Sequence, residues 1–192
     1  MVHDQLPRTS DVPALPRMLL AVMRRLAAGL LRRRYDIRVH GRAHLPRRGP
    51  VLLVCNHMGL MDGPVLAAVA PRLVHGLVKR EMFDGRAGAP LRALGQISVE
   101  RTIVDPRAVK QSVRVLRDGG VVAIYPEGSR GRGDVSHSRL GAAYLAMVTG
   151  AVVVPVASLG TRAGRESVHA APPRGRRIDL VFGAPLRAAT TP

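Results

Sequence analysis

VLLVCNHMGLMD occupies residues 51–62. Its first five residues are apolar without interruption, the pattern of a strand buried on both faces. The run passes straight into Asn56-His57, and a carboxylate follows at Asp62. GPVLAAVA, 63–70, then reads as a short helix, with Pro64 tolerated in its first turn. A buried strand that ends in polar residues and turns into a helix is the repeating unit of an α/β sheet, and ligands bind at the carboxyl ends of such strands. The turn brings His57 near enough to Asp62 for the carboxylate to accept one imidazole N–H. The other ring nitrogen is then an acceptor, suited to general-base work. A helix start favours the Asp62 anion, which in turn supports an imidazolium. Taken alone, the same spacing also describes a turn histidine beside a helix-capping aspartate.

Outward from this stretch, strands and helices alternate. YDIRVHG (35–41), LVHGLVK (73–79), QISVE (96–100), VVAIYP (121–126), AVVVPVAS (151–158) and RRIDLVFG (176–183) read as strands. Residues 85–95 are glycine-rich with a short helical piece. DPRAVKQSVRVLRDGG, 105–120, carries complete helix punctuation: Asp105 as N-cap, Pro106 at the first position and Gly119 at the close. SRLGAAYLAMVTG, 138–150, reads as a second such helix. The alternation predicts a single α/β domain with a mostly parallel central sheet flanked by helices.

Residues 1–16 hold three prolines and little periodicity, the reading of a loose tail. RMLLAVMRRLAAGLLRRR, 17–34, follows as an amphipathic helix. At about 100° per residue Leu19, Val22, Met23, Leu26 and Leu30 share one face, and Arg17, Arg24, Arg25 and Arg32 the other. That pattern suits a helix in a membrane interface with arginines toward headgroups; it also suits a helix packed on the protein's own core. No stretch approaches the roughly 20 apolar residues that span a bilayer. Residues 35–192 form the remaining domain.

The chain of 192 residues carries a formal charge of +17, nearly all of it from arginine, with lysine only at Lys79 and Lys110. Such a balance implies an anionic partner: nucleic acid, anionic lipid or a phosphorylated substrate. The single cysteine, Cys55, excludes an internal disulfide and argues against a cysteine-based metal cluster. His3, His40, His44, His75, His137 and His169 lack metal-ligand spacing, so no metal is expected. Cys55 stands two before His57, which allows a Cys–His nucleophile; the alternative is a small buried core residue.

Three further stretches matter, two of them with polar residues at strand ends. AIYPEGSRGRGD, 123–134, delivers Glu127, Ser129 and Arg130 among glycines that let backbone approach a ligand. Arginine there offers a planar donor fork suited to phosphate. GQISVER, 95–101, delivers Arg101, and Pro155 interrupts VVVPVAS. Taken in chain order, these stretches and NHMGLMD resemble the glycerolipid acyltransferase family. Asn56-His57 with Asp62 is similar to its NHxxxxD block, and GQISVER to its second block, a glycine followed by apolar residues and an arginine. Pro126-Glu127-Gly128-Ser129-Arg130 is similar to PEGTR, and Val154-Pro155-Val156 to its apolar-proline element. Lys79-Arg80-Glu81 resembles the K-x-E segment between the first two blocks. The match spans about residues 35–185. Ser129 replaces the usual Thr, Gly131 stands where Ser often follows, and His137-Ser138-Arg139 replaces a segment often rich in Phe and Lys.

The resemblance implies that His57 deprotonates an acceptor hydroxyl with Asp62 in support. The oxygen then attacks the thioester of acyl-CoA or acyl carrier protein, with no further cofactor. It implies Arg101 and Arg130 as phosphate ligands, Glu127 beside the acceptor's hydroxyls or the arginines, Gly128 and Ser129 in the substrate loop, and Asn56, Lys79 and Pro155 in support. The expected acceptor is a phosphorylated lysolipid, lysophosphatidic acid giving phosphatidic acid. Glycerol 3-phosphate or another lysolipid is the alternative. The expected setting is peripheral, on the cytoplasmic face of the cell membrane, against anionic lipid. A basic nucleic-acid-binding protein accounts for the charge alone, and the chain lacks stacking aromatics and any recognisable nucleic-acid motif.

Overall fold

The computed structural model describes residues 17–131, 133, 140–163 and 166–187. The tail expected over 1–16 lies outside the described residues, as does His137-Ser138-Arg139.

Helix α1 (Arg17–Arg34) leads into β1 (Asp36–His40), and a single 3-10 turn (Arg42–His44) precedes β2 (Val51–Cys55). Then come α2 (Asp62–Val69), β3 (Val74–Lys79), α3 (Glu81–Asp84), α4 (Gly88–Ala93) and β4 (Ile97–Val99). Helix α5 (Pro106–Arg117), β5 (Val121–Ile124), α6 (Gly141–Thr149), β6 (Val152–Leu159) and β7 (Arg177–Phe182) complete the order. The seven strands form one sheet in the order β1-β7-β6-β2-β5-β3-β4. β6, β2, β5, β3 and β4 all run parallel. β7 is antiparallel to β6 and carries β1 parallel to itself, so the two strands at this edge run opposite to the rest.

β2 lies near the middle of the sheet, which is why its apolar run is continuous. Val51, Leu53 and Cys55 point into one core with Val65, Leu66 and Val69 of α2, and Ala27, Ala28 and Leu31 of α1 pack against it. Leu52 points into the other, with Ala108, Val113 and Leu116 of α5 and Leu145 and Ala146 of α6. The sheet is therefore sandwiched between α1/α2 and α5/α6. Helix α5 begins as its sequence demands: the Asp105 side chain accepts from the Arg107 and Ala108 N–H groups at 2.9 and 3.1 Å, with Pro106 next. Pro155 falls between the last β6–β7 pair, Val156 with Phe182, and the isolated bridge of Val153 to Leu186. The β7 side of that interval is one residue longer, so the ladder is already broken where proline lacks its N–H.

Helix α1 corrects one part of the sequence reading. Its protein-facing side is built from Leu20, Ala27, Ala28 and Leu31, and Arg24 donates from Nη1 to the Ala70 carbonyl at 2.5 Å. Arg24 therefore does not belong to a headgroup-facing surface. The apolar stripe Met18, Val22, Leu26 and Leu30 points outward; Leu26 and Leu30 keep 65% and 66% of their surface exposed. Among the described residues no helix is long and apolar enough to cross a membrane.

Candidate active site

The end of β2, the turn after it and the start of α2 create the site. Asp62 is in the first turn of α2 and fully buried. Its Oδ2 accepts the Met58 N–H at 2.7 Å and the Gly59 N–H at 2.8 Å, and stands 2.8 Å from His57 Nδ1. Its Oδ1 accepts the Thr161 hydroxyl. An oxygen already accepting two backbone donors is an acceptor toward the ring as well. Nδ1 thus carries the hydrogen and Nε2 is left as the basic nitrogen. The His57 side chain retains 18% of its surface exposed while Asp62 has none.

Three neighbours hold the histidine in place. The Glu127 carboxylate accepts the His57 backbone N–H at 2.9 Å, and the Gly131 N–H donates to the His57 carbonyl at 2.9 Å. The Tyr125 ring lies 4.4 Å from the imidazole centroid at 33°. Asn56 ties the same turn to β6: its side chain donates to the Ser158 carbonyl at 3.1 Å and accepts the Ser158 N–H at 2.7 Å. The expectation that Glu127 meets the acceptor's hydroxyls or the arginines is thus changed for Oε1, which is committed to the histidine backbone.

The basic residues lie in the loops after β4 and β5. Arg101 Nη1 donates to the Gly128 carbonyl at 2.6 Å, and the left-handed Gly128 (φ 70°) makes the turn that presents it. Arg130 Nη1 donates to the Val168 carbonyl at 3.4 Å, while its Nε is buried with no acceptor among the described residues. Burial holds the Arg130 guanidinium below its ordinary pKa; the Asp62 carboxylate opposes this, and the Arg101 charge adds to it. Ser129 is exposed in the same loop, and Lys79 ends β3, separated from β2 by β5. Cys55 is fully buried, and burial, followed by the Asp62 charge, pushes its thiol far up. A protonated, enclosed thiol is no nucleophile. No group of three or more His, Cys, Asp or Glu among the described residues is placed to hold a metal ion.

Sequence reasoning missed three contributors. Tyr125 stood inside a quoted stretch, with its position before Pro126 as the available signal. Thr161 lies 99 residues from Asp62 and gave no signal. Arg162 beside it donates from Nη2 to the Gly131 carbonyl at 2.9 Å.

The sequence pattern of the Acyltransferase family matches residues 36–159, a span that contains the dyad and every block beside it. The chain belongs to the glycerolipid acyltransferase family. It is an O-acyltransferase by that membership. The chain is 28% identical over 162 residues to 1-acyl-sn-glycerol-3-phosphate acyltransferase of Bacillus subtilis (strain 168), covering 83% of this chain and 78% of that protein. It is 32% identical over 161 residues to lyso-ornithine lipid O-acyltransferase of Pseudomonas aeruginosa, covering 81% of this chain and 58% of that protein. The crystal structure of the 1-acyl-sn-glycerophosphate acyltransferase PlsC from Thermotoga maritima superposes with a TM-score of 0.65 at 23% identity, covering 88% of this chain and 68% of that one. At that identity the likeness establishes the fold.

Proposed function

We propose that the protein transfers an acyl group from an acyl thioester, on coenzyme A or acyl carrier protein, to the free hydroxyl of lysophosphatidic acid. The observation that carries this is the His57 Nδ1 to Asp62 Oδ2 contact of 2.8 Å at the end of a central strand. Nε2 takes the proton of the acceptor hydroxyl as its oxygen bonds to the thioester carbonyl carbon. The tetrahedral adduct collapses, the C–S bond breaks, and the departing thiolate takes the proton back from the imidazolium. An ester and a free thiol result, and His57 is returned neutral. The acceptor itself is the nucleophile, in keeping with a buried, unreactive Cys55.

A phosphate monoester on the acceptor is supported by Arg101 and Arg130. Two like charges close enough to oppose each other, one of them desolvated, are balanced by an anion. A lipid acceptor is supported by the outer stripe of α1, with Arg25 and Arg33 exposed beside it. In this reading residues 17–34 are the interfacial element and 35–192 the catalytic domain, peripheral on the anionic cytoplasmic face of the membrane. The Pseudomonas relative is named for a lyso-ornithine lipid, which keeps another lysolipid as the second reading. The deciding experiment offers labelled acyl-CoA with lysophosphatidic acid, glycerol 3-phosphate, lyso-ornithine lipid and lysophosphatidylcholine in mixed micelles. Lysophosphatidic acid should be acylated in strong preference. Preference for glycerol 3-phosphate or for a lysolipid without a phosphate monoester would displace this acceptor.

A further inference from the structure

The loop that leaves β6 reaches back over the NHMGLMD turn. Thr161 is buried to 1% exposure, and its hydroxyl donates to Asp62 Oδ1. The approach is built into the turn. A Cβ at Gly59 would stand 2.7 Å from the Thr161 carbonyl oxygen and 3.3 Å from Arg162 Cβ, so only glycine lets the two segments close. The Arg162 guanidinium pins the same loop to the Gly131 carbonyl at 2.9 Å.

Asp62 Oδ2 carries His57 together with two backbone donors, whereas Oδ1 meets Thr161. The two halves of the carboxylate therefore do different work. The Oδ2 contacts anchor one end of the carboxylate, and the Thr161 hydroxyl on Oδ1 fixes the turn of its plane, which sets how Oδ2 meets Nδ1. A donor on Oδ1 withdraws charge from the oxygen that faces the imidazole. Without it the anion concentrates at Oδ2 and holds the imidazolium more strongly.

We propose that Thr161 is a positioning residue of the acyl transfer, acting through Asp62 to keep His57 correctly aimed. The proposal rests on the reading of His57 as the general base. Around the dyad the other charged and titratable groups among the described residues are Cys55 on β2, Tyr125, Glu127 and Arg130 after β5, Arg101 after β4 and Arg162 beside Thr161. All remain in place in the variants below.

The test measures acyl transfer from labelled acyl-CoA to lysophosphatidic acid across pH, with thermal unfolding in parallel, for the full chain and for Thr161→Ala, Thr161→Val, Thr161→Ser and His57→Ala. Thr161→Ala and Thr161→Val should lose roughly tenfold or more in kcat, as expected of a hydrogen bond to a charged group. KM for both substrates should stay unchanged. The acidic limb of kcat/KM should move to higher pH, because a stronger anion raises the proton affinity of His57. Thr161→Ser should restore rate and limb. A folded Ala or Val variant with the native rate and limb would overturn the proposal, as would a Ser variant as poor as Ala. Unfolding of both Ala and Val beside a normal Ser would assign the hydroxyl to stability alone and also overturn it. Full activity in His57→Ala, or a wild-type profile without an acidic limb, would instead remove the general-base reading beneath it.

Discussion

At the residue scale, Tyr125 and Glu127 act on His57 in separable ways. The Tyr125 hydroxyl is buried without a hydrogen-bond partner among the described residues, and burial pushes its pKa well above the ordinary phenol value. The ring is what touches the imidazole. Tyr125→Phe should therefore keep kcat within about twofold and leave Tm level or higher, since it removes a buried, unpaired polar group. Tyr125→Ala should cost about 0.5–1.5 kcal/mol for the ring pair alone, read as a several-fold fall in kcat. A Phe variant as slow as Ala would give the hydroxyl a role that this account denies. Glu127 accepts the His57 backbone N–H, which the amide oxygen of glutamine also does. Glu127→Gln should stay near native while Glu127→Ala loses roughly tenfold in kcat, the worth of a hydrogen bond to a charged group. A rise in the acceptor KM as the main effect of both would return Glu127 to the substrate.

At the element scale, α1 has two faces with two duties. Leu20 is on the inner face, and Leu20→Ala should cost about 2–5 kcal/mol of stability. The outer stripe makes no such contribution. Val22→Ser, Leu26→Ser and Leu30→Ser together should leave Tm nearly unchanged and release the protein from anionic liposomes in sedimentation. Full sedimentation of that triple variant would place membrane contact elsewhere. The β1–β7 edge carries a separate acid sensitivity. Hydrogen bonds from Arg177 and then His40 hold Asp179 at about 2, below its ordinary 3.8. The unfolded chain binds the proton first, so this edge contributes stability above pH 4 and loses it as the pH falls toward 2. Asp179→Asn should flatten that part of the acid-unfolding curve; an unchanged curve would show that the cluster contributes nothing.

At the scale of the whole molecule, the sequence carried what is local. The continuous apolar run of β2, the capped start of α5 and the strand–turn–helix around His57 were each legible, because periodicity and caps act within a dozen residues. The reversed β1–β7 pair was not, since strand direction is set by partners far apart in the chain, as in Asp36 with Arg177. Thr161 escaped for the same reason, while the fourfold-bonded Asp62 it completes was visible as a spacing. The inner face of α1 was misread because it mixes Leu20 and Leu31 with Ala27, Ala28 and the bonded Arg24, so its apolar stripe is weaker than the exposed one. What unites these parts is the claim that His57, oriented by Asp62, is the base for acyl transfer to a lysolipid hydroxyl. Its most direct test is the rate of labelled phosphatidic acid formation by purified His57→Ala beside the wild-type protein, at matched folding by thermal melt. The account predicts a fall of about 10²–10⁴-fold with an unaltered melt. A folded His57→Ala protein that keeps the wild-type rate would contradict it.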